Sequence, residues 1–192
     1  MSQSSYRVHL RGCSAYGQSK ALTTPKERQE THDDHESRVW RERLHVGKDG
    51  CVAIPPMSIK FALTAAAKSL GLKIPGKGKS TYTKIFESGV LITDWISLGV
   101  KPDDVPAERL FLNSDGVRGS GKRVFRNMPR IEEGWEAEVT IYVLNSLIDE
   151  KILREHLEYA GMFVGIGFFR PERGGYWGRF TVEELTKQKL AA

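Results

Sequence analysis

An α+β fold is predicted by three features of this 192-residue sequence. Two segments, 6–12 and 136–144, alternate apolar and polar residues with the period of a half-buried strand. Two others, 59–70 and 153–164, space their apolar residues at helical intervals. The chain order is strand, helix, strand, strand, helix, strand, the split arrangement of an antiparallel sheet carrying two helices.

Residues 6–12 place Val8 and Leu10 on one face and Arg7, His9 and Arg11 on the other, and Gly12 ends the strand. Residues 13–24 are rich in Ser, Thr and Gly and read as irregular. Pro25 to His45 holds six acids and five bases, with Val39, Trp40 and Leu44 as its large apolar residues. Trp40 and Leu44 share a helix face, so the second half is expected to rest lightly on the body while the first half projects. Residues 13–50 thus form a charged insertion after the first strand of a single domain spanning 1–192. Cys51–Ile54 follows the turn signal Lys48-Asp49-Gly50 as a short strand, and Pro55-Pro56 stop it. Ser58 suits a helix N-cap. Ile59, Ala62, Leu63, Ala66 and Leu70 form one stripe, which Gly71 closes.

Val90–Thr93 and Arg109–Leu112 read as short strands, and Asp115-Gly116 as a turn toward a return strand at Val124-Phe125. In 136–144, Ala137, Val139, Ile141 and Val143 share a face. Ser146-Leu147-Ile148-Asp149 has the form of a capping box with Asp in place of Glu. Leu153, Leu157, Ala160 and Val164 give the second helical stripe, and His156 flanks it. A glycine-rich segment, Gly165–Gly178, leads to a last strand at Arg179–Val182, and Thr186–Ala192 is expected to fray. Stripped of insertion and small hairpins, this is the βαββαβ order of ferredoxin-like and RRM-like folds. Its helices cover one face of the sheet, and the other face is a common platform for single-stranded nucleic acid.

At 40% hydrophobic and 28% charged residues, the chain is too apolar for wholesale disorder. No apolar run reaches the ~18–20 residues of a membrane span. The N-terminus lacks a basic-then-apolar leader, so no secretory signal and no membrane partner are expected. Cys13 and Cys51 are too few for a disulfide framework or a cysteine zinc site. Reduced thiols in a cytoplasm are expected, the bacterial host's if the chain is phage-encoded.

Net charge is +5, unevenly spread. Lys68, Lys73, Lys77, Lys79 and Lys84 lie in one acid-free stretch, and Arg118, Lys122, Arg123, Arg126 and Arg130 in another. Together they carry +10, so the remainder carries 5 − 10 = −5. Such segregation gives a local positive field suited to phosphates. Gly76-Lys77-Gly78-Lys79-Ser80-Thr81 imitates part of a phosphate-binding P-loop. The first glycine of that pattern is replaced by Lys73, and the loop follows a helix rather than a strand, so nucleotide hydrolysis is rejected. Lys77 and Lys79 remain expected phosphate contacts, with Tyr82 stacking beside them. His32-Asp33-Asp34-His35 offers four ligand atoms without an evident convergent partner, so a polar surface is expected there rather than a metal. His9 and Cys13 lack the orienting third group of a nucleophilic site. No cofactor and no catalytic residue is assigned.

The sixteen residues Gly165 to Phe180 contain five glycines, three arginines and five aromatics. Glycines permit close backbone approach, arginines fork onto phosphates, and aromatics stack on bases. This segment, with Ile54-Pro55-Pro56-Met57-Ser58-Ile59-Lys60 at the entry to the first helix, resembles the RAMP superfamily. These are ferredoxin-like RNA-binding proteins that include backbone subunits of CRISPR surveillance complexes. Pro56 stands where glycine is common in that family. The resemblance implies single-stranded nucleic acid bound along a homo-oligomeric array, with 13–50 as a projecting, thumb-like contact to a neighbour. It also suits a small phage single-strand-binding protein. The expected backbone-tracking residues are Lys73, Lys77, Lys79, Arg118, Lys122, Arg123, Arg126, Arg170 and Arg173. The expected stacking residues are Tyr82, Phe125, Tyr176 and Trp177. Tyr176 and Trp177 are adjacent, so at most one of them should face a ligand while the other enters the core. The competing functions are an RNA-processing endonuclease of the same superfamily, with a His or Asp base, and a phage module that mimics a CRISPR subunit or binds RNA polymerase.

Overall fold

Alternation builds the central sheet as expected. β1 (Ser4–Gly12) buries Tyr6, Val8 and Leu10 and turns Arg7 and Arg11 outward. It lies between β8 (Glu136–Val143) and β9 (Phe180–Gln188), antiparallel to both, with Val8 opposite Val139 and Leu185. A short β4 (Val90–Leu91) completes the sheet, in the order β4-β8-β1-β9. These elements come from a computed structural model, which describes residues 4–114 and 121–188.

Two helices supply the opposing layer. α2 (Pro56–Leu70) buries Ile59, Leu63 and Ala66, and α4 (Glu150–Tyr159) buries Leu153 and Leu157, all in the core that holds Val8, Val139 and Ile141. α2 starts at Pro56, two residues before the expected Ser58 cap. Proline suits a first helical position because that N–H has no intrahelical partner anyway. Gly71 ends the helix in left-handed backbone, φ 58°. α4 is capped by Asp149, whose carboxylate accepts from the Ile152 N–H at 2.8 Å, and not by Ser146. The antiparallel sheets and four α-helices among the described residues make the chain α+β, compatible with a ferredoxin-like fold.

Ahead of α2, β3 (Ala53–Ile54) pairs with β5 (Ile96–Ser97), which follows β4, and between β5 and β8 the chain forms a long hairpin, β6 (Ala107–Asn113) with β7 (Arg123–Ile131). The two-residue β2 (Tyr16–Gly17) pairs with the end of β7. The insertion is held against this hairpin, contrary to the expected light contact. α1 (His32–Val39) is capped by Thr31, and Glu36 and Arg43 form a buried ion pair at 2.9 Å. The same carboxylate accepts from the Asn127 N–H of β7 at 3.0 Å. Trp40 is 7% exposed and therefore no anchor for another molecule. The first half is tied by Glu42, which accepts from Thr24 and Thr23. Those hydrogen bonds, Thr24 foremost, hold the Glu42 carboxyl down to about 2. Arg38 clamps Glu30 in the same way.

His156 is not a flanking residue but is fully buried. Its ring stacks on Phe86 of α3 (Thr83–Gly89), centroids 4.2 Å apart. Nδ1 lies 2.7 Å from the Ile152 carbonyl and so carries the proton, leaving Nε2 a bare acceptor with no partner among the described residues. Burial pushes the imidazole pKa down; the Ile152 carbonyl and Glu155 oppose this without overcoming it. The folded state therefore refuses a proton that the unfolded chain accepts below about pH 6.5. Stability is present in full above that pH and falls as pH drops. Denaturant melts at pH 7.5 and 5.5 should show the loss, and His156→Phe should shrink it. An equal loss in the variant would assign the acid sensitivity elsewhere.

Candidate nucleic-acid interface

The glycine-rich segment folds onto itself and onto β2. The Phe168 N–H donates to the Gly17 carbonyl at 2.8 Å, Ile166 N–H to Gly178 O at 3.0 Å, and Gly178 N–H to Ala15 O at 2.6 Å. Gly167 and Gly178 have φ of 75° and 73°. A Cβ on Gly167 would sit 2.3 Å from the Gly17 carbonyl oxygen, and one on Gly178 would sit 1.9 Å from that of Ile166. These glycines therefore serve the loop's own close packing rather than approach to a ligand.

A groove of about 640 Å³ opens between this loop and the outer side of α2. Ser58, Phe61, Ala65 and Lys68 line it from the helix, and Arg170 and Arg173 from the loop. Ser58 to Lys68 is ten residues, about 15 Å of helix. Lys20 and His45 line it from the insertion. Lys20, Lys68 and Arg173 are exposed and form no ion pair among the described residues. Arg170 is held by Glu172 at 2.8 Å and by the Gly167 carbonyl. Among the described residues, the acids at the groove are Glu87 and Glu172. Phe61 is 64% exposed. Burial and Lys20 lower the pKa of His45, which keeps that imidazole neutral at pH 7.

Beyond Lys68 the basic stretch turns back on itself. A bridge between Lys73 and Thr81 closes a turn on which Lys73, Lys77 and Lys79 are all exposed. Tyr82, expected to stack on a base, is corrected to the core. It is 4% exposed, edge-on to His156 at 5.8 Å. Closing the turn at Thr81 makes the next residue re-enter the body.

Trp177 is likewise corrected. It is 1% exposed, packed against Gly17 and the rings of Phe168 and Phe169. Its neighbour Tyr176 is 55% exposed, as extended alternation requires.

The second basic stretch stands elsewhere. Lys122, Arg123, Phe125 and Arg126 belong to the β6–β7 hairpin, whose described residues do not line the groove. Phe125 pairs with Phe111 at 4.9 Å and lies 4.3 Å beneath the Arg109 guanidinium, while Arg123 lies over Phe111. Arg126 donates to the Ser114 carbonyl at 2.6 Å. Arg118 lies outside the described residues. Asp33 pairs with Arg109 at 2.6 Å, Asp34 with the Thr31 hydroxyl, and His35 with the Thr24 carbonyl.

The open face of the central sheet, the common platform for single strands in such folds, carries paired charges. Arg7 faces Glu138 at 3.5 Å and His9 faces Glu136 at 3.6 Å, with Glu184 beside them. The structure thus unites Arg170 and Arg173 with three residues that sequence reasoning left out of the site, Lys20, Phe61 and Lys68. Phe61 carried a signal: it is a large aromatic lying off the apolar stripe of its own helix.

With this geometry, the chain is similar to a chain of the type III-B Cmr-beta complex, solved by cryo-EM bound to cognate target RNA. The TM-score is 0.54 at 12% identity, covering 98% of this chain and 62% of that one. The likeness is one of fold. This chain spans less than two thirds of that neighbour's length. No protein-family model and no curated protein matches the sequence. Among the described residues no helix is long and apolar enough to cross a membrane.

Proposed function

We propose that this chain binds single-stranded nucleic acid in the groove between α2 and the glycine-rich loop, without catalysis and with little sequence preference. The observation that carries this is a line of cations without ion pairs. Lys20, Arg173 and Lys68 line the groove, and Lys73, Lys77 and Lys79 continue from the end of the helix that forms its wall. Exposed Phe61 offers a base an apolar face within that line. Charge and stacking together hold single strands whatever their sequence. The neighbour's bound RNA and the RAMP resemblance point the same way.

The βαββαβ assignment belongs to the same proposal. β1, α2, β4, β8, α4 and β9 are its members in chain order, and the sheet order β4-β8-β1-β9 supports it. A purely binding role is supported by the state of the candidate bases. Asp33 is engaged by Arg109, and His9 lies on the sheet face with Glu136, among residues that do not line the groove. Assembly as a homo-oligomeric array, in phage or CRISPR-related nucleic-acid metabolism, completes the reading. The hairpin bearing exposed Phe111 and Phe125, braced by the insertion, is the surface suited to a neighbouring copy. Light scattering should show growth in mass when a long single strand is added; a protein that stays monomeric with and without the strand contradicts the array.

Fluorescence anisotropy with matched single-stranded DNA, single-stranded RNA and duplex, at two salt concentrations, tests the binding itself. Single strands should bind more tightly than duplex, and binding should weaken as salt rises. Failure of both single strands to bind at low salt would remove the proposal.

A further inference from the structure

Of the four tryptophans, Trp40, Trp135 and Trp177 are buried, at 7%, 6% and 1% exposure. Trp95 is 49% exposed. The local backbone dictates this. Ile96 opens β5 and points into the core, at 3% exposure, so its extended neighbour Trp95 must face outward. Two groove-lining residues stand beside it. Its ring centroid is 5.6 Å from that of His45, with the planes tilted by 44°. The register of β3 with β5 sets Ile54 opposite Ile96, and carrying it one residue further brings Pro55 opposite Trp95. Both His45 and Pro55 line the groove. Trp95 therefore extends the groove at the end marked by Lys20 and His45.

We propose that Trp95, backed by the His45 ring, stacks on a base of the single strand held in the groove, an inference that rests on the binding function above. The chemistry there is that of a base platform and not of a phosphate clamp. The adjacent charged side chain, Asp94, is an exposed anion, and the nearest ring partner is an imidazole. A large indole face left in water beside a cationic track is what sequence-tolerant strand binding uses.

Tryptophan emission reads the contact directly, because the other three indoles are shielded. Titrating the full chain with single-stranded oligo(dT) and oligo(rU) should quench the wild-type emission to saturation. Trp95→Phe should lose the quench and keep most of the affinity, since phenylalanine also presents a face. Trp95→Ala should bind about tenfold more weakly with an unchanged salt slope, the loss of one stacked base and of no phosphate contact. Both variants should melt like the wild type, the side chain being half in solvent. A quench that survives in Trp95→Phe, or Trp95→Ala binding as tightly as wild type, overturns the inference. Should Lys68→Glu with Arg173→Glu abolish binding while Trp95→Ala binds as tightly as the wild type, the groove stands and the platform falls. Absence of all strand binding removes both.

Discussion

Trp177→Ala should lower the unfolding free energy by about 3–5 kcal/mol, the range for deleting a large aromatic from a packed core. The indole is almost fully enclosed, and a Cβ built on Gly17 would lie 2.7 Å from it, so strand β2 is shaped around its ring. Phe168 and Phe169 meet it edge-on at 6.0 and 5.9 Å. Truncation would leave a void under the glycine-rich loop, whose backbone is tethered to Gly17 of β2 through Phe168 and to Ala15 through Gly178. Loss of strand binding in this variant should follow the loss of fold, with both recovered together at low temperature. A variant that melts like the wild type but binds poorly would instead return Trp177 to the binding surface.

Glu36→Ala should cost a similar amount, about 3–5 kcal/mol, because it strands a buried guanidinium. Arg43 is 5% exposed and Glu36 is 3% exposed, and the carboxylate also accepts the Asn127 N–H. Removing it leaves a charge and a backbone donor without partners at the seam between insertion and hairpin. Replacing both members, as Glu36→Leu with Arg43→Met, should cost far less, since the desolvation penalty disappears with the charges. Chemical denaturation of the single and double variants measures this. A single-variant cost below about 1 kcal/mol would mean that water reaches the pair and that the insertion is only loosely held.

The long elements were legible because their periodicity is regular. β1 and β8 alternate over seven residues or more, and the α2 and α4 stripes each cover several turns. The two-residue strands β2 and β5 carry no such pattern and exist only through partners far away in sequence, such as Ile131 for Tyr16, whereas β3 was marked by the apolar run Cys51–Ile54. β7 was legible only at Val124-Phe125, because Met128-Pro129 breaks the alternation within it. Glu36 and Arg43 lie in a segment dense in both charges, where nothing marks one pair for burial. For the site, the acid-free clustering marked Lys68, Lys73, Lys77 and Lys79 as one basic stretch but left Lys20 unmarked, and exposure was not legible for aromatics. Tyr82 and Trp177 read as platforms and are core, whereas Phe61 and Trp95 face solvent. Hydrophobicity alone does not say which side of a loop a ring takes; the Lys73–Thr81 bridge and the β3–β5 register decide it.

In the proposed function, the cations along α2 and the glycine-rich loop hold phosphates. The salt dependence of single-strand affinity tests it most directly. Lys20, Lys68, Lys73, Lys77, Lys79 and Arg173 are six exposed cations, and at ~0.7 per phosphate contact the slope of log K against log salt should be roughly −4. Lys68→Glu with Arg173→Glu should flatten the slope by at least about 1.4 and weaken binding at low salt, while leaving the thermal melt unchanged. A wild-type slope near zero, or a doubly reversed variant that binds with the wild-type slope, would contradict the account.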